Sequence, residues 1–437
     1  MGKIRVESRL RLVSPQKEQS FMRRYDAEGI LIETHITCSE SDYFDGCWER
    51  RSTDNGRTWG EWQKIYSDED GRRGRVPGSA EGDEYLADDV VPTLYDPISG
   101  CKFGIGSDAY FIRGHDVGYF DYWEKGEDNM RTHAYYALQR PDGRVEKHMF
   151  EFEEGGADYD PENPRNPAFL DKNRASVTSL RILPDGDLGF LLYPTVRLCC
   201  KMAGVDVKGF FPSCPDFQVG LLYARAHWNA ERQDYDITYS NPIMLSDLQS
   251  SRGIGEPALF EPENGRIFIF LRGSNWVHEA WHTRIDPKAP GYKWYVVSDD
   301  GGRTFCPPMP MHYDTREILY SPASICKLFR STKTGKTYWI GNIIDDPRCI
   351  DGNDPRWILQ ICEVDPQYGY LLKDTLTVID GLREGQTYVE LSNFDLLENR
   401  ETLDLEVRLT KCNFNGGRQE EGDWYTEAWE YTVHFDD

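Results

Sequence analysis

Among the side chains of this 437-residue chain, those that promise chemistry are carboxylates, phenols and guanidinium groups rather than thiols or metal ligands. Glu256 opens the run Glu256-Pro257-Ala258-Leu259-Phe260. The turn Glu261-Pro262-Glu263-Asn264-Gly265 follows, and Arg266-Ile267-Phe268-Ile269-Phe270-Leu271-Arg272 returns. Strand, tight turn, strand, with a charge at each outer end, predicts a hairpin that brings Glu256 and Arg272 to the same edge of a sheet. Such a pair is either a structural ion bridge or the polar heart of a site. His278-Glu279-Ala280-Trp281-His282 spells the H-E-x-x-H pattern of zinc proteases, whose histidines face one metal only on a helix. Here the pattern lies between two strands, beside Trp276 and ahead of Asp286-Pro287. It reads as loop or strand, with contact at a substrate rim as the functional alternative. The 11 cysteines run from Cys38 to Cys412 with an adjacent pair at Cys199-Cys200 and no C-x-x-C spacing. That is reduced, cytosolic usage with no disulfide framework; no metal site and no cofactor is implied.

The frame that must position these groups is all-β. Ile4 to Val13 and Trp424 to Phe435 each alternate in polarity, so both ends read as strands, expected to close one blade of a ring. Between them, short strand-like runs are separated by Asp96-Pro97-Ile98-Ser99-Gly100, Pro141-Asp142-Gly143, Pro184-Asp185-Gly186-Asp187 and Thr334-Gly335, residues that supply turns. Helical periodicity is nearly absent. Radial repetition solves the edge-strand problem for an all-β chain of this length, and four-stranded antiparallel blades of ~40 to 75 residues give a β-propeller of six blades, with seven possible. No linker interrupts residues 1–437, which read as one domain. Residues 151–173 and 199–217 read as long irregular loops, at a site rim, at a subunit contact, or as surface padding.

Two stretches, Ser52-Thr53-Asp54-Asn55-Gly56-Arg57-Thr58-Trp59 and Ser298-Asp299-Asp300-Gly301-Gly302-Arg303-Thr304-Phe305, share the pattern S-x-D-x-G-x-T-aromatic. With these two Asp boxes the chain resembles the sialidase superfamily of β-propellers, where the box closes the turn between the outer strands of a blade. Asp54, Asp300, Trp59 and Phe305 are then structural: the carboxylates satisfy backbone groups and the rings pack inside the blade. The resemblance favours six blades, while the spacing of the two boxes divides more evenly into seven. It implies an acidic sugar whose carboxylate is held by arginines, since a planar guanidinium matches a carboxylate bidentately. Glu256 and Arg272 match the family's glutamate and second arginine. Arg356, in Asn353-Asp354-Pro355-Arg356-Trp357, matches the third, with Arg348 as fallback. Tyr388, in Gly385-Gln386-Thr387-Tyr388-Val389-Glu390-Leu391, matches the nucleophile. The family's first-arginine strand, Phe/Tyr-Arg-Ile-Pro, is replaced by Ser20-Phe21-Met22-Arg23-Arg24-Tyr25, where Arg24, or its neighbour Arg23, substitutes. Asp42, with Asp45 three residues on, stands where the acid/base precedes the first box. By this resemblance Glu256 takes the proton of Tyr388, whose phenol has an unperturbed pKa of about 10. Asp42 protonates the leaving oxygen and then activates water.

Two rival readings remain open. His115-Asp116, His133, Tyr159 and Arg174 occur in an order similar to β-propeller polysaccharide lyases of the rhamnose-glucuronate or ulvan type, which need a neutralised carboxylate, a base and an acid. A non-catalytic propeller that binds glycan or protein is the other. Composition bounds all three. Aromatic residues make up 13%, with 12 Trp and 25 Tyr, which suits half-buried strands and a surface that stacks on sugar rings. The net charge is −24, from 74 acidic and 50 basic residues, which disfavours nucleic acid. An acidic oligosaccharide or polysaccharide partner would need local arginines to overcome that field. The N-terminus lacks the apolar core of a signal peptide and no apolar run spans a bilayer, so the expectation is a cytoplasmic protein with no membrane partner.

Overall fold

The computed structural model describes residues 4–15, 18–26, 28–40, 43–67, 82–87, 90–112, 129–414 and 424–435. Their strands form six antiparallel sheets arranged as a six-bladed β-propeller. Blade 1 holds Glu18–Tyr25, Leu31–Glu40, Tyr43–Ser52 and Gln63–Ser67. Blade 2 holds Glu84–Leu86, Lys102–Phe111, Met130–Gln139 and Val145–Met149, with the short Leu94–Tyr95 beside the second of these. Blade 3 is Ala175–Ile182, Leu188–Pro194, Leu222–Asn229 and Asp234–Tyr239. Blade 4 is Gly255–Phe260, Ile267–Arg272, Lys293–Ser298 and Met309–Pro310. Blade 5 is Lys327–Arg330, Thr337–Gly341, Leu359–Glu363 and Thr377–Asp380. In blade 6, Val389–Leu391 and Asp395–Glu398 share the partner Leu405–Phe414, which pairs with Trp424–Phe435. The N-terminal strand Ile4–Pro15 is the outermost member, with Ile4 opposite Phe435.

Seven blades are therefore excluded. The boxes that divided evenly into seven sit in blades 1 and 4, and long connections between strands account for the extra spacing.

Strand periodicity explains how blades adhere. In Ile267–Arg272, Phe268 and Phe270 join a core with Leu319, Trp339 and Cys362 of the blade 5 side. Ile267, Ile269 and Leu271 join a second core with Leu191, Leu221 and Tyr223 of the blade 3 side. Both faces are buried, so the run is apolar without alternation. Each such side chain contributes roughly 1.5–3 kcal/mol by leaving water.

The two S-x-D-x-G-x-T turns join third to fourth strands. Thr58 donates to Asp54 from its amide (2.8 Å) and its hydroxyl (2.6 Å), and Gly56 N donates to Ser52 Oγ (2.8 Å). Thr304 and Gly302 repeat the pattern on Asp300 and Ser298 at 2.9, 2.6 and 2.9 Å. These bonds hold both aspartates at a pKa of about 2.

Residues 199–217 are not irregular throughout. Helices Val196–Ala203 and Val207–Phe210 occupy much of the segment. The first is capped by Thr195, whose side chain accepts from Leu198 N, and is stopped by Gly204 at φ +66°. The second is capped by Asp206. Helices this short escape a search for long apolar periodicity, and only their caps mark them.

Candidate functional site

In a meander, the start of the first strand, the end of the second and the start of the third lie at one edge. Lys293 pairs with Arg272, and Arg272 with Gly255, so that edge of blade 4 carries three chemically capable residues, Glu256 being the third. The boxes close the opposite edge. Gly255 pairs with Arg272 and Ala258 with Phe270, leaving Glu256 and Pro257 together opposite Leu271. This is a β-bulge, a device that re-aims a side chain. Glu256 accordingly has φ +44°, a left-handed conformation that costs ~1–3 kcal/mol. A Cβ on Gly255 would lie 2.8 Å from Arg272 Nε, so only glycine lets the guanidinium lie across the backbone. Arg272 Nη1 donates to Glu256 Oε1 at 2.7 Å, and Glu256 Oε2 is buried without a partner.

Lys293 is wholly buried, with its ammonium donating to the Ser324 carbonyl. Burial, helped by the charges of Arg272 and Arg356, outweighs the opposing influence of Cys326 and Glu256 and lowers its pKa to about 8. Arg356 donates to Glu390 and, at 2.5 Å, to the carbonyl of Ala323. Burial opposes its charge, yet the carboxylates of Glu390 and Glu256 keep its pKa above the ordinary arginine value. Lys293 and Arg356 thus grip successive carbonyls of the segment entering blade 5.

Tyr388 precedes Val389–Leu391, and Glu390 is two residues on, hence on the same face of the strand. The Tyr388 hydroxyl donates to Asp354. Burial raises its pKa, with Glu390 and Asp354 adding and Arg356 partly offsetting them. Asp354 belongs to the loop that carries Arg356, and Asn275 of blade 4 braces that loop. Its Nδ2 donates to the carbonyls of Ala289 (2.8 Å) and Ile350 (2.9 Å), and its Oδ1 accepts from Gly352 N (2.9 Å). Tyr193, at the end of the second strand of blade 3, has Glu256 and Arg272 as its charged neighbours.

The structure thus brings Glu256, Arg272, Arg356 and Tyr388 into one charged cluster, but corrects one pairing. Glu256 is engaged by Arg272, and the carboxylate on the Tyr388 hydroxyl is Asp354. Arg24 points elsewhere: more than half of its side chain is exposed, and it pairs with Glu49 (2.8 Å) and Thr34 (3.1 Å) of its own blade. Arg23 binds Glu33 and Glu430. Arg348 is exposed and paired with Asp346. Asp42 lies outside the described residues, and Asp45 accepts from Thr37.

Of the lyase set, His115 lies outside the described residues, while His133 and Tyr159 meet around Phe169, and Arg174 lies near His133 and donates to the Met130 carbonyl at 3.0 Å. His133 stacks on that ring at 4.2 Å and is 1% exposed. Burial, with Arg174 and Arg131 nearby, lowers its pKa to about 3. A neutral, enclosed imidazole of this kind is a poor proton acceptor. The H-E-x-x-H run forms a single tight turn, Glu279–Trp281, with His282 at φ +52° and His278 packed between Trp276 and Trp281. Among the described residues, no group of three or more His, Cys, Asp or Glu is arranged to hold a metal.

Sequence reasoning missed Asp354, Glu390, Lys293 and Tyr193. Glu390 was readable from its spacing to Tyr388, whereas Lys293, the one charge in Tyr292-Lys293-Trp294-Tyr295-Val296-Val297, reads as a solvent-facing strand position. Asp354 lies two residues before Arg356 in the same run. Tyr193 carried no local signal.

No protein-family model and no curated protein matches the chain. Solved structures do. A protein of unknown function from Dyadobacter fermentans aligns over 99% of both chains at 12% identity and TM-score 0.50. The NanB sialidase of Streptococcus pneumoniae aligns over 94% of this chain and 68% of its own at 10% identity and TM-score 0.47. An α-L-arabinofuranosidase of Fusarium graminearum aligns over 98% of both at 10% identity and TM-score 0.45. The first match shows a common fold across the whole chain.

Proposed function

We propose that the chain is a carbohydrate-active propeller, a sialidase-like glycoside hydrolase that acts on an acidic sugar at the blade 4 to blade 6 cluster. The observation that carries this reading is the bulge at Glu256. It spends backbone strain to set a carboxylate, with one oxygen unpartnered, against the guanidinium of Arg272 and near the charge of Arg356. Arg272 and Arg356 hold the sugar carboxylate. Tyr388 attacks the anomeric carbon as its proton passes to Asp354, and the bond to the leaving oxygen breaks with a proton from Asp42. Water then attacks the same carbon and gives its proton to Asp42. The phenolate leaves and recovers its proton from Asp354. A phenol beside a substrate carboxylate suits this role because its neutral form is not repelled. Glu256 fixes Arg272 and offers its free oxygen to the sugar.

The test is hydrolysis of a fluorogenic sialoside. Tyr388→Phe and Asp354→Asn should each lower kcat by at least ~100-fold, the scale of general acid–base loss, without unfolding the protein. Full activity in both variants removes the mechanism. Release of an unsaturated uronate, abolished by Tyr159→Phe, would favour the lyase reading, and binding to a glycan panel without turnover the non-catalytic one.

A further inference from the structure

We propose that Tyr193 contacts the substrate, its hydroxyl donating to the same sugar group that Arg272 grips while Glu256 Oε2 accepts from the neighbouring ring substituent. The inference rests on the hydrolase reading above and extends it by one specificity residue from a third blade.

Three observations carry it. Tyr193 sits opposite Ser176 at the site edge of blade 3, and its ring packs against the core that contains Leu271 and Trp294 of blade 4. Its position is therefore fixed by packing shared between two blades. Its hydroxyl has no hydrogen-bond partner among the described residues, while its charged neighbours are Glu256 and Arg272. Those neighbours have capacity to spare: Glu256 Oε2 is buried without a partner, and Glu256 takes one of the five guanidinium hydrogens of Arg272. A phenol O–H, a guanidinium edge and a carboxylate oxygen together present two donors and one acceptor. That set fits a carboxylate, which only accepts, adjoining a hydroxyl or amide, which donates. Burial, and then Glu256, raise the phenol pKa, so Tyr193 remains a donor throughout the physiological range.

The test is Tyr193→Phe, which removes an oxygen without a protein partner and keeps the packed ring. Binding of N-acetylneuraminate, glucuronate and neutral methyl galactoside would be measured by isothermal titration, with turnover of the corresponding fluorogenic glycosides. The expected result is a rise of about tenfold in Kd and KM for an acidic sugar, a smaller change in kcat, and an unchanged melting temperature. Tyr388→Phe should show the converse, lost turnover with binding retained. If the wild-type protein cleaves an acidic sugar and Tyr193→Phe matches it in KM, this inference falls and the hydrolase reading stands. A lower melting temperature with KM unchanged assigns Tyr193 to packing and also overturns it. A wild-type protein that neither binds nor cleaves any of these sugars overturns the hydrolase reading, and the inference with it.

Discussion

Lys293 is the most informative single residue, because nothing about a lysine favours its position. Wholly buried near Arg272 and Arg356, it faces Cys326 and Glu256 and is tied to one carbonyl. Its folded pKa of about 8 lies below the ordinary 10.5. Between those values the unfolded chain binds more protons than the native one, so stability rises with pH across that window. Below pH ~8 both states are charged and burial of the ammonium is a constant cost. Lys293→Met, of similar length and uncharged, should flatten this part of the stability curve. The wild-type minus variant difference should change by about 3 kcal/mol between pH 7.5 and 11, since each tenfold loss of proton affinity on folding is worth about 1.4 kcal/mol. Urea unfolding at several pH values measures it, and parallel curves for the two proteins would show that Lys293 titrates normally. The residue also marks where sequence reasoning stops. Glu256 and Arg272 were legible because one hairpin joins them. The groups around Lys293 come from blade 4 and from the entry and inner loop of blade 5, and a lone lysine in a strand reads as a solvent-facing position by alternation. For the same reason the pairing of Tyr388 with Asp354 rather than Glu256 was not legible: which carboxylate reaches a phenol is settled by loop geometry, not spacing.

The element on which ring closure depends is the N-terminal strand Ile4–Pro15. Its backbone pairs with Trp424–Phe435, and its side chains reach blade 1 through charge. Glu33 of blade 1, with 0% exposure, receives Arg11 of the closing strand at 2.5 Å, Arg23 at 2.8 Å, and Arg50. Arg23 continues to Glu430 of blade 6 at 2.9 Å. Burial opposes the charge of Glu33, but its hydrogen bond to Arg11, the charges of Arg23 and Arg11, and its hydrogen bond to Arg50 lower its pKa to about 2, from 4.5. This stabilisation is complete above the ordinary value and is lost as pH falls through about 2, so the junction between blades 6 and 1 should be an acid-sensitive seam. Glu33→Gln keeps the shape and removes the one buried charge that Arg11, Arg23 and Arg50 share. It should destabilise the fold by about 3–5 kcal/mol, read as a lower urea midpoint at pH 7, and lose much of the acid sensitivity. An unchanged midpoint would mean the hydrogen-bonded ladder closes the ring by itself. Closure was legible at the level of strands, since alternation at both termini is a local signal. The ionic lock was not, because Arg11, Glu33 and Glu430 are brought together only by the completed ring. The fold itself was readable from turns: each S-x-D-x-G-x-T stretch carries its hydrogen bonds within seven residues, whatever the rest of the chain does.

At the scale of the whole molecule, the site works against the field around it. The chain carries a net charge of −24, whereas the cluster sets Arg272, Arg356 and Lys293 against Glu256, Glu390 and Asp354. An anionic sugar therefore approaches through a repulsive potential and gains attraction only on contact. The two contributions differ in range. At 0.01 M salt the screening length is about 30 Å, so the global charge is felt throughout the approach; at 0.15 M it is about 8 Å, and only the cluster remains within reach. Partly buried pairs such as those of Arg356 are screened far less than the exposed acids. Raising salt from about 10 to about 150 mM should therefore lower KM for an acidic glycoside, the reverse of what a basic, electrostatically steered site would give. KM for a neutral glycoside should stay flat. The sign separates two substrate classes without knowledge of the sugar: if KM for the acidic substrate rises with salt, the local cations already dominate at long range, and if neutral and acidic substrates respond alike, the arginines are not binding a carboxylate. Tyr193→Phe should leave the slope unaltered, because a neutral donor acts only on contact, whereas Arg356→Gln should weaken binding at every salt concentration.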